Sequence, residues 1–284
     1  MMILSVMVVM ECLSLQNKCK FKFIANFDSS NSLHIILLLF ERKYAIINKG
    51  NFVKGKGVIF LASWIIHLRI ADKVLRRYHF LPTEYFVGNI APDSGIMNYD
   101  QMTYTPDNSI SHFADIDKYG GKLANPNRFS NEYLTPEKIA SYNANQLSFY
   151  VGYYNHLVTD RLWKKEIIFP LREKYADIYE LDKLGTISKW KNDWYDLDCL
   201  FLRNNPDFTA FSVYESAVGF ENSYLDFFSK TAFDEKRQHI SKFYSAIPDN
   251  LDRKYKFTNS AQIDKFVDLA STKIIELNKR FLKA

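Results

Sequence analysis

The chain has 284 residues, 47 % hydrophobic and 16 % aromatic, which is enough apolar material to bury the core of one large domain or two modest ones. Its formal charge of +5 is confined to residues 1–60, which hold eight Lys/Arg against three Asp/Glu; 29 of each sign remain beyond them, so no basic tract marks a nucleic-acid surface. Cys12 and Cys19 fall in the same stretch and Cys199 stands alone beyond it, which excludes a disulfide framework and favours a reducing compartment, the cytoplasm.

Residues 1–60 contain short apolar runs at Met2–Met10 and His34–Phe40. Neither approaches the roughly 20 residues of a membrane-spanning helix. No cationic segment precedes Met2, so a secretory signal is not expected. The stretch lacks sustained periodicity and reads either as a poorly ordered tail or as a leader absent from the natural protein. The second reading rests on Lys56-Gly57-Val58, whose codons can form a purine-rich ribosome-binding run just before Leu61, a possible TTG start. The mature chain would then begin near Ala62-Ser63-Trp64.

From Ser63 the apolar positions 65, 66, 70, 74 and 75 predict one amphipathic helix, with Ser63 as N-cap and Pro82 closing the unit. His67 falls on or beside its apolar stripe and, taken alone, reads as a core histidine. Glu84–Val87 begins a helical turn that is expected to break at Gly88 and Pro92, presenting Asp93 from a fixed loop. Residues 96–130, with Pro106, Gly120-Gly121 and Pro126, predict a long loop carrying His112, Asp115 and Asp117. Thr135-Pro136 starts a helix expected to run to Trp163, a rod of about 40 Å with Asn143 and Gly152 as its candidate kink points. Further helices are predicted over 186–202, 208–217, 223–244 and 260–281. The fold class is therefore all-α, a bundle of some seven helices over 61–284.

On that rod His156 and Asp160 stand one turn apart on one face. They can grip a metal ion together, or form a buried neutral histidine bonded to its neighbouring carboxylate. The pair alone leaves both readings open.

Taken together, Trp64-x-x-His67, Asn89-Ile-Ala-Pro-Asp93, Ser111-His112-Phe113 with Asp115 and Asp117, and Phe149-Tyr150-Val-Gly…His156-x3-Asp160 resemble the zinc-dependent phospholipase C family. That superfamily also holds the single-strand-specific zinc nucleases of fungi and plants. The resemblance runs in motif order through residues 61–170 and is nearest to a bacterial, cytosolic branch whose members begin near Ala62-Ser-Trp-Ile-Ile-His. It implies an all-helical fold with a metal cluster in a cleft. Asp93, His112, His156 and Asp160 would hold one ion, and His67 a second, with Asp160 bridging. In the family an amino-terminal Trp completes the second shell through its own amine; Trp64 lies only three residues before His67, and a leader would block that role. The secreted members' third-metal ligands are missing, since position 166 is Glu and the only later histidine, His239, has no Glu four residues on. Glu166 is expected on the surface, and His34, His79 and His239 as bystanders.

Such a ligand set suits Zn²⁺, in one or two ions, with Mn²⁺ or Fe²⁺ compatible by ligand type. A water so bound would have its pKa lowered from 15.7 towards about 7. The reaction implied is hydrolysis of a small phosphoric ester, lipid- or nucleotide-derived, with Asp93 orienting the attacking water or taking its proton. Tyr153, Trp163 and the 96–130 loop are candidates to shape the pocket. Against this stands a non-catalytic, metal-stabilised binding or regulatory protein. An HD-type phosphohydrolase is excluded because no histidine here is followed by Asp, and P-loop and His-Glu-x-x-His motifs are absent.

Overall fold

A computed structural model describes residues 61–99 and 103–281, together with the backbone of strands β1 (Ser5–Ser14), β2 (Asn17–Phe27) and β3 (Leu33–Ile36). The chain divides into two units, Met1–Phe52 and Val53–Ala284. In the first, β1, β2 and β3 pair antiparallel in that order, Ser5 opposite Asn26 and Phe27 opposite Leu33. This corrects the expectation of a tail without regular structure. The period-two signal was there, because Lys18, Lys20 and Lys22 alternate with Cys19, Phe21 and Phe23. The start site expected at Leu61 depends on residues 37–60, which lie outside the described ones.

The second unit is helical. It opens with α1 (Trp64–Leu75) and α2 (Pro82–Ile90), the latter followed by a 3₁₀ turn, Ala91–Asp93. The segment expected as a long loop holds two short hairpins, β4 (Ile96–Met97) with β5 (Tyr104–Thr105) and β6 (Asp115–Ile116) with β7 (Lys122–Leu123), around α3 (Asn108–Ser111). Then come α4 (Pro126–Tyr133), α5 (Pro136–Ser141) and α6 (Ala144–Trp163). A π turn at Lys164–Ile168 leads into α7 (Phe169–Lys174) and α8 (Ala176–Leu181). The remainder is α9 (Lys183–Asn204), α10 (Thr209–Ser216), α11 (Ala232–Tyr244) and α12 (Ser260–Asn278). No helix among the described residues is long and apolar enough to cross a membrane.

The predicted rod is cut at Tyr142–Asn143. The Asn143 side chain accepts from the Gln146 backbone N–H at 2.9 Å, and the Gln146 side chain accepts from the Asn143 N–H at 3.1 Å. This reciprocal capping box starts a fresh helix rather than continuing the old one. Asn143→Ala should cost about 1 kcal/mol, read as a lowered urea midpoint; an unchanged midpoint would mean the cap contributes nothing. A second difference lies at 223–231, expected as helix. There the Asn222 side chain accepts from the N–H groups of Tyr224 and Leu225 and donates to the carbonyls of Leu225 and Phe228. Those backbone groups are thereby withdrawn from helical pairing, and α11 begins only at Ala232.

α6 is buried around its whole circumference from Ser148 to Asp160, as a helix without a polar face must be. α1, α2, α4 and α12 pack around it. The two glycines expected to break or kink helices instead bring helices together. A Cβ on Gly88 would overlap the Phe149 carbonyl oxygen, and one on Gly152 would overlap that of Tyr85 and lie 3.0 Å from the Asn89 nitrogen. Gly88 therefore sits inside α2, which runs on to Ile90. Close backbone approach is the role glycine plays here.

Candidate metal centre

Because α2 and α6 touch backbone to backbone, the residues following each glycine meet. Asn89 Nδ2 donates to the Gly152 carbonyl at 3.1 Å, and the Asn89 carbonyl lies 2.7 Å from His156 Nδ1. This bond turns His156 so that Nε2 faces inward. His112 follows α3, whose first turn is capped by Asp107. Its Nδ1 is 2.9 Å from Ser111 Oγ, and the Tyr153 hydroxyl donates to the Ser111 carbonyl. His112 therefore also presents Nε2. Partners that fix the ring nitrogen facing away from a site are what metal-binding imidazoles require.

The five residues singled out from the sequence come together. Asp160 is the hub: His156 Nε2 lies 3.0 Å and His112 Nε2 3.4 Å from its Oδ2, and His67 Nε2 lies 3.2 Å from its Oδ1. Asp93 Oδ1 is 3.4 Å from His112 Nε2 and 3.9 Å from His156 Nε2. The His67 and His156 rings stack at 3.9 Å. Two groups result, His67–His156–Asp160 and Asp93–His112–His156, with ligand atoms mutually within 4.8 Å. His156 is common to both, whereas the resemblance implies Asp160 as the shared ligand.

Every one of these side chains is at least nine-tenths buried. Burial would raise Asp93, but the bond from His112 and the charges of His156 and His112 hold its carboxyl below the ordinary value. Burial opposes ionisation of Asp160 too, yet the charge of His156 and the close approach of His112, His156 and His67 hold it well below the usual range. Burial would lower His112, but the Asp160 and Asp93 carboxylates beside it, each 3.4 Å from Nε2, push it up to about 9. His67 is lowered, by burial and then by His156.

Both His67 ring nitrogens and Asp160 Oδ2 lack a hydrogen-bond partner despite the short distances. The atoms are close but point past one another. A buried polar atom left unbonded costs about 1–3 kcal/mol, and one nitrogen of His67 with Asp160 Oδ2, both left so beside His156, fit a cation-binding cradle. Three imidazoles and two carboxylates, all nitrogen and oxygen donors, suit zinc.

Some supporting groups were not foreseen. Trp64 contributes its indole, which donates to Asp93 Oδ2 at 3.0 Å, and the backbone nitrogen nearest the ligands is that of Ala62, 3.1 Å from Asp160 Oδ1. Ser63 is the N-cap residue of α1, as expected, but its side chain makes no capping bond; its hydroxyl donates to Asp198 Oδ1 at 2.8 Å, and Tyr244 donates to Oδ2 at 2.6 Å. Other expected residues lie elsewhere. Glu166 is half-exposed beside Lys165, and His79 and His239 are exposed. Asp117 pairs with the buried Lys164 at 2.5 Å, and Asp115 with Arg128 at 3.5 Å. Trp163 is core, packed edge-on against Trp194 and Phe266. His34 lies outside the residues whose side chains are described. Comparisons of the chain with protein-family models, with curated proteins and with solved structures found no match.

Asp198 makes a pH prediction independent of the centre. Burial pushes its carboxyl from 3.8 up to about 7, against the bonds from Tyr244 and Ser63. The folded chain thus binds this proton more tightly than the unfolded chain. Its contribution is complete below about pH 4 and is lost as pH rises towards 7, on the order of 4 kcal/mol in all. Asp198→Asn should flatten that decline in urea midpoints measured from pH 4 to 7. A variant with the original slope would refute the assignment.

Proposed function

We propose that this chain is a metal-dependent hydrolase of a phosphoric ester, taking one or two zinc ions and acting in the cytoplasm. The observation that carries the reading is the burial together of His67, Asp93, His112, His156 and Asp160, from separate parts of the chain, with nitrogen and oxygen atoms left unbonded between them. The likeness of its motifs to zinc-dependent phospholipase C supports the same chemistry.

What a divalent cation supplies in such a cradle is Lewis acidity towards a phosphoryl oxygen and a lowered pKa for a neighbouring water. The chain's own groups do the rest. Asp93, the ligand with the least buried side chain, orients the attacking water and accepts its proton. The water oxygen forms a bond to phosphorus, the bond to the leaving alcohol oxygen breaks, and that oxygen ends protonated. Trp64 holds the second oxygen of Asp93, keeping the first turned towards the histidines. Asn89 and Ser111 fix His156 and His112 in the ring orientation the cation needs.

The rival is a binding or regulatory protein that keeps an ion for stability alone. The absence of a third-metal ligand set favours it, with Glu166 turned to Lys165. Metal analysis followed by assay on an aryl phosphodiester separates the two. Bound zinc with turnover is expected. One tightly held ion per chain and no hydrolysis under any divalent metal would favour the rival.

A further inference from the structure

Asp117 is left unused by the metal centre, yet it is not a surface residue. Its Oδ2 lies 2.5 Å from the ammonium of Lys164, and both side chains are 3 % exposed. The same ammonium donates to the Lys122 carbonyl. Asp117 Oδ1 accepts from the N–H groups of Tyr119 at 2.7 Å and Gly121 at 2.9 Å. The pair therefore closes the turn between β6 and β7 and fastens it to the π turn that follows α6. Gly121 leaves room for it, since a Cβ there would lie 3.0 Å from Asp117 Oδ2 and 3.2 Å from Lys164 Nζ.

Tyr153, His156, Asp160 and Lys164 recur every three or four residues and form one stripe along the helix. Segment 108–124 is bonded to that stripe from end to end. At one end the Tyr153 hydroxyl holds the Ser111 carbonyl, and at the other Lys164 holds Asp117 and Lys122. Between them His112 Nε2 faces His156 Nε2 at 3.3 Å and Asp160 Oδ2 at 3.4 Å. The held hairpin is tied back to His112 by two routes. Lys122 Nζ is 2.5 Å from Asp107 Oδ1, which caps α3, and the Asn125 N–H donates to the His112 carbonyl at 3.2 Å.

A small cavity is lined jointly by Asn108, Lys122 and Lys164 and by the ligands His112 and Asp160. Packing between the pair and the two ligands is thus incomplete, and directional bonds must set their spacing. For stability alone, apolar side chains of similar volume would serve as well as a buried ion pair. What the pair adds is a single permitted placement of the hairpin on the helix.

We propose that Lys164 and Asp117 are positioning residues of the metal centre, a clasp that fixes hairpin β6–β7 on α6 and so holds His112 Nε2 where it can share an ion with Asp93 and His156. The inference rests on the metal-centre reading and adds to it two residues that touch no ion.

The test uses the full chain. Zinc affinity is measured by competition with a chromophoric chelator, and the ring nitrogens of His67 and His112 are followed by NMR on histidine-labelled protein. Lys164→Met alone strands the Asp117 carboxylate and should destabilise the fold. The informative variant is Lys164→Met/Asp117→Asn, which removes both charges and keeps the acceptor for Tyr119 and Gly121. It should fold and bind the ion at His112 at least tenfold more weakly. At zinc concentrations that saturate wild type, its His112 signals should stay in their zinc-free positions while those of His67 still move. Tyr78→Phe, which deletes the 2.6 Å bond from Tyr78 to the Ile275 carbonyl, supplies the comparison: a lowered urea midpoint with zinc affinity kept. Wild-type affinity and wild-type His112 signals in the double variant would overturn the inference while the metal centre stands, and so would an equal loss of zinc in Tyr78→Phe. A wild-type chain whose histidines respond to no divalent ion would overturn the metal-centre reading itself, a failure visible before any variant is made.

Discussion

Asp160→Ala should abolish zinc binding and lower stability by about 3–5 kcal/mol, the cost of removing one partner from a buried charged cluster. The size of the effect follows from how many groups converge on this carboxylate. His67, His112, His156 and the Ala62 N–H all lie within 3.4 Å of it. Once it is gone, three imidazoles are buried with Asp93 as their only counter-charge. Asp160→Asn keeps the volume and one acceptor oxygen, so it should recover part of the stability while still failing to hold the ion. His156→Ala should behave as Asp160→Ala does. His239→Ala, an exposed change, should keep both metal and stability. Elemental analysis of dialysed protein and urea denaturation read the two quantities separately. Wild-type zinc content in Asp160→Ala would remove Asp160 from the ligand set.

The second large effect is expected at Gly152. On helix propensity alone Gly152→Ala should stabilise α6 by up to about 1 kcal/mol. The new Cβ, however, meets main-chain atoms of Tyr85 and Asn89, which have no rotamer to escape into. Packing decides the sign, and a loss of about 3 kcal/mol is expected. Function should suffer as well, because parting α2 from α6 pulls the Asn89 carbonyl off His156 Nδ1. Losing such an orienting bond typically weakens metal affinity 10- to 100-fold. Gly185→Ala supplies the contrast, since the atoms met there belong to the Asp182 side chain, which can move aside at the cost of its cap on α9, and a loss of only about 1 kcal/mol should follow. A Gly152→Ala protein as stable as wild type would mean that the helices have room to separate.

These two sites also show where sequence reasoning reached and where it stopped. The candidate ligands were legible because each sits in a short local pattern: His156 and Asp160 at helical spacing, Asp93 behind a proline, His112 in a polar loop. Their convergence was read through resemblance, and the fold brings all five together. Gly88 was misread as a breaker and Gly152 as a kink point because a glycine's local freedom is visible in sequence, whereas the neighbouring helix that needs the space is not. Asn143 and Asn222 fail for a related reason. Asn143 starts a new helix and Asn222 forestalls one through their side-chain hydrogen bonds, and apolar periodicity does not register that choice. Asp115 and Asp117 look as promising as Asp93 in sequence. Only the fold reveals that Lys164 and Arg128 take them.

Trp64 has an optical consequence. The other three tryptophans, Trp163, Trp190 and Trp194, are at most 2 % exposed, so their emission should be blue and indifferent to solutes. Trp64 is half-exposed, hydrogen-bonded to Asp93 and overhung by Lys236. The red edge of the intrinsic fluorescence should therefore report what happens at the Asp93 carboxylate, giving the chain a built-in probe that needs no label.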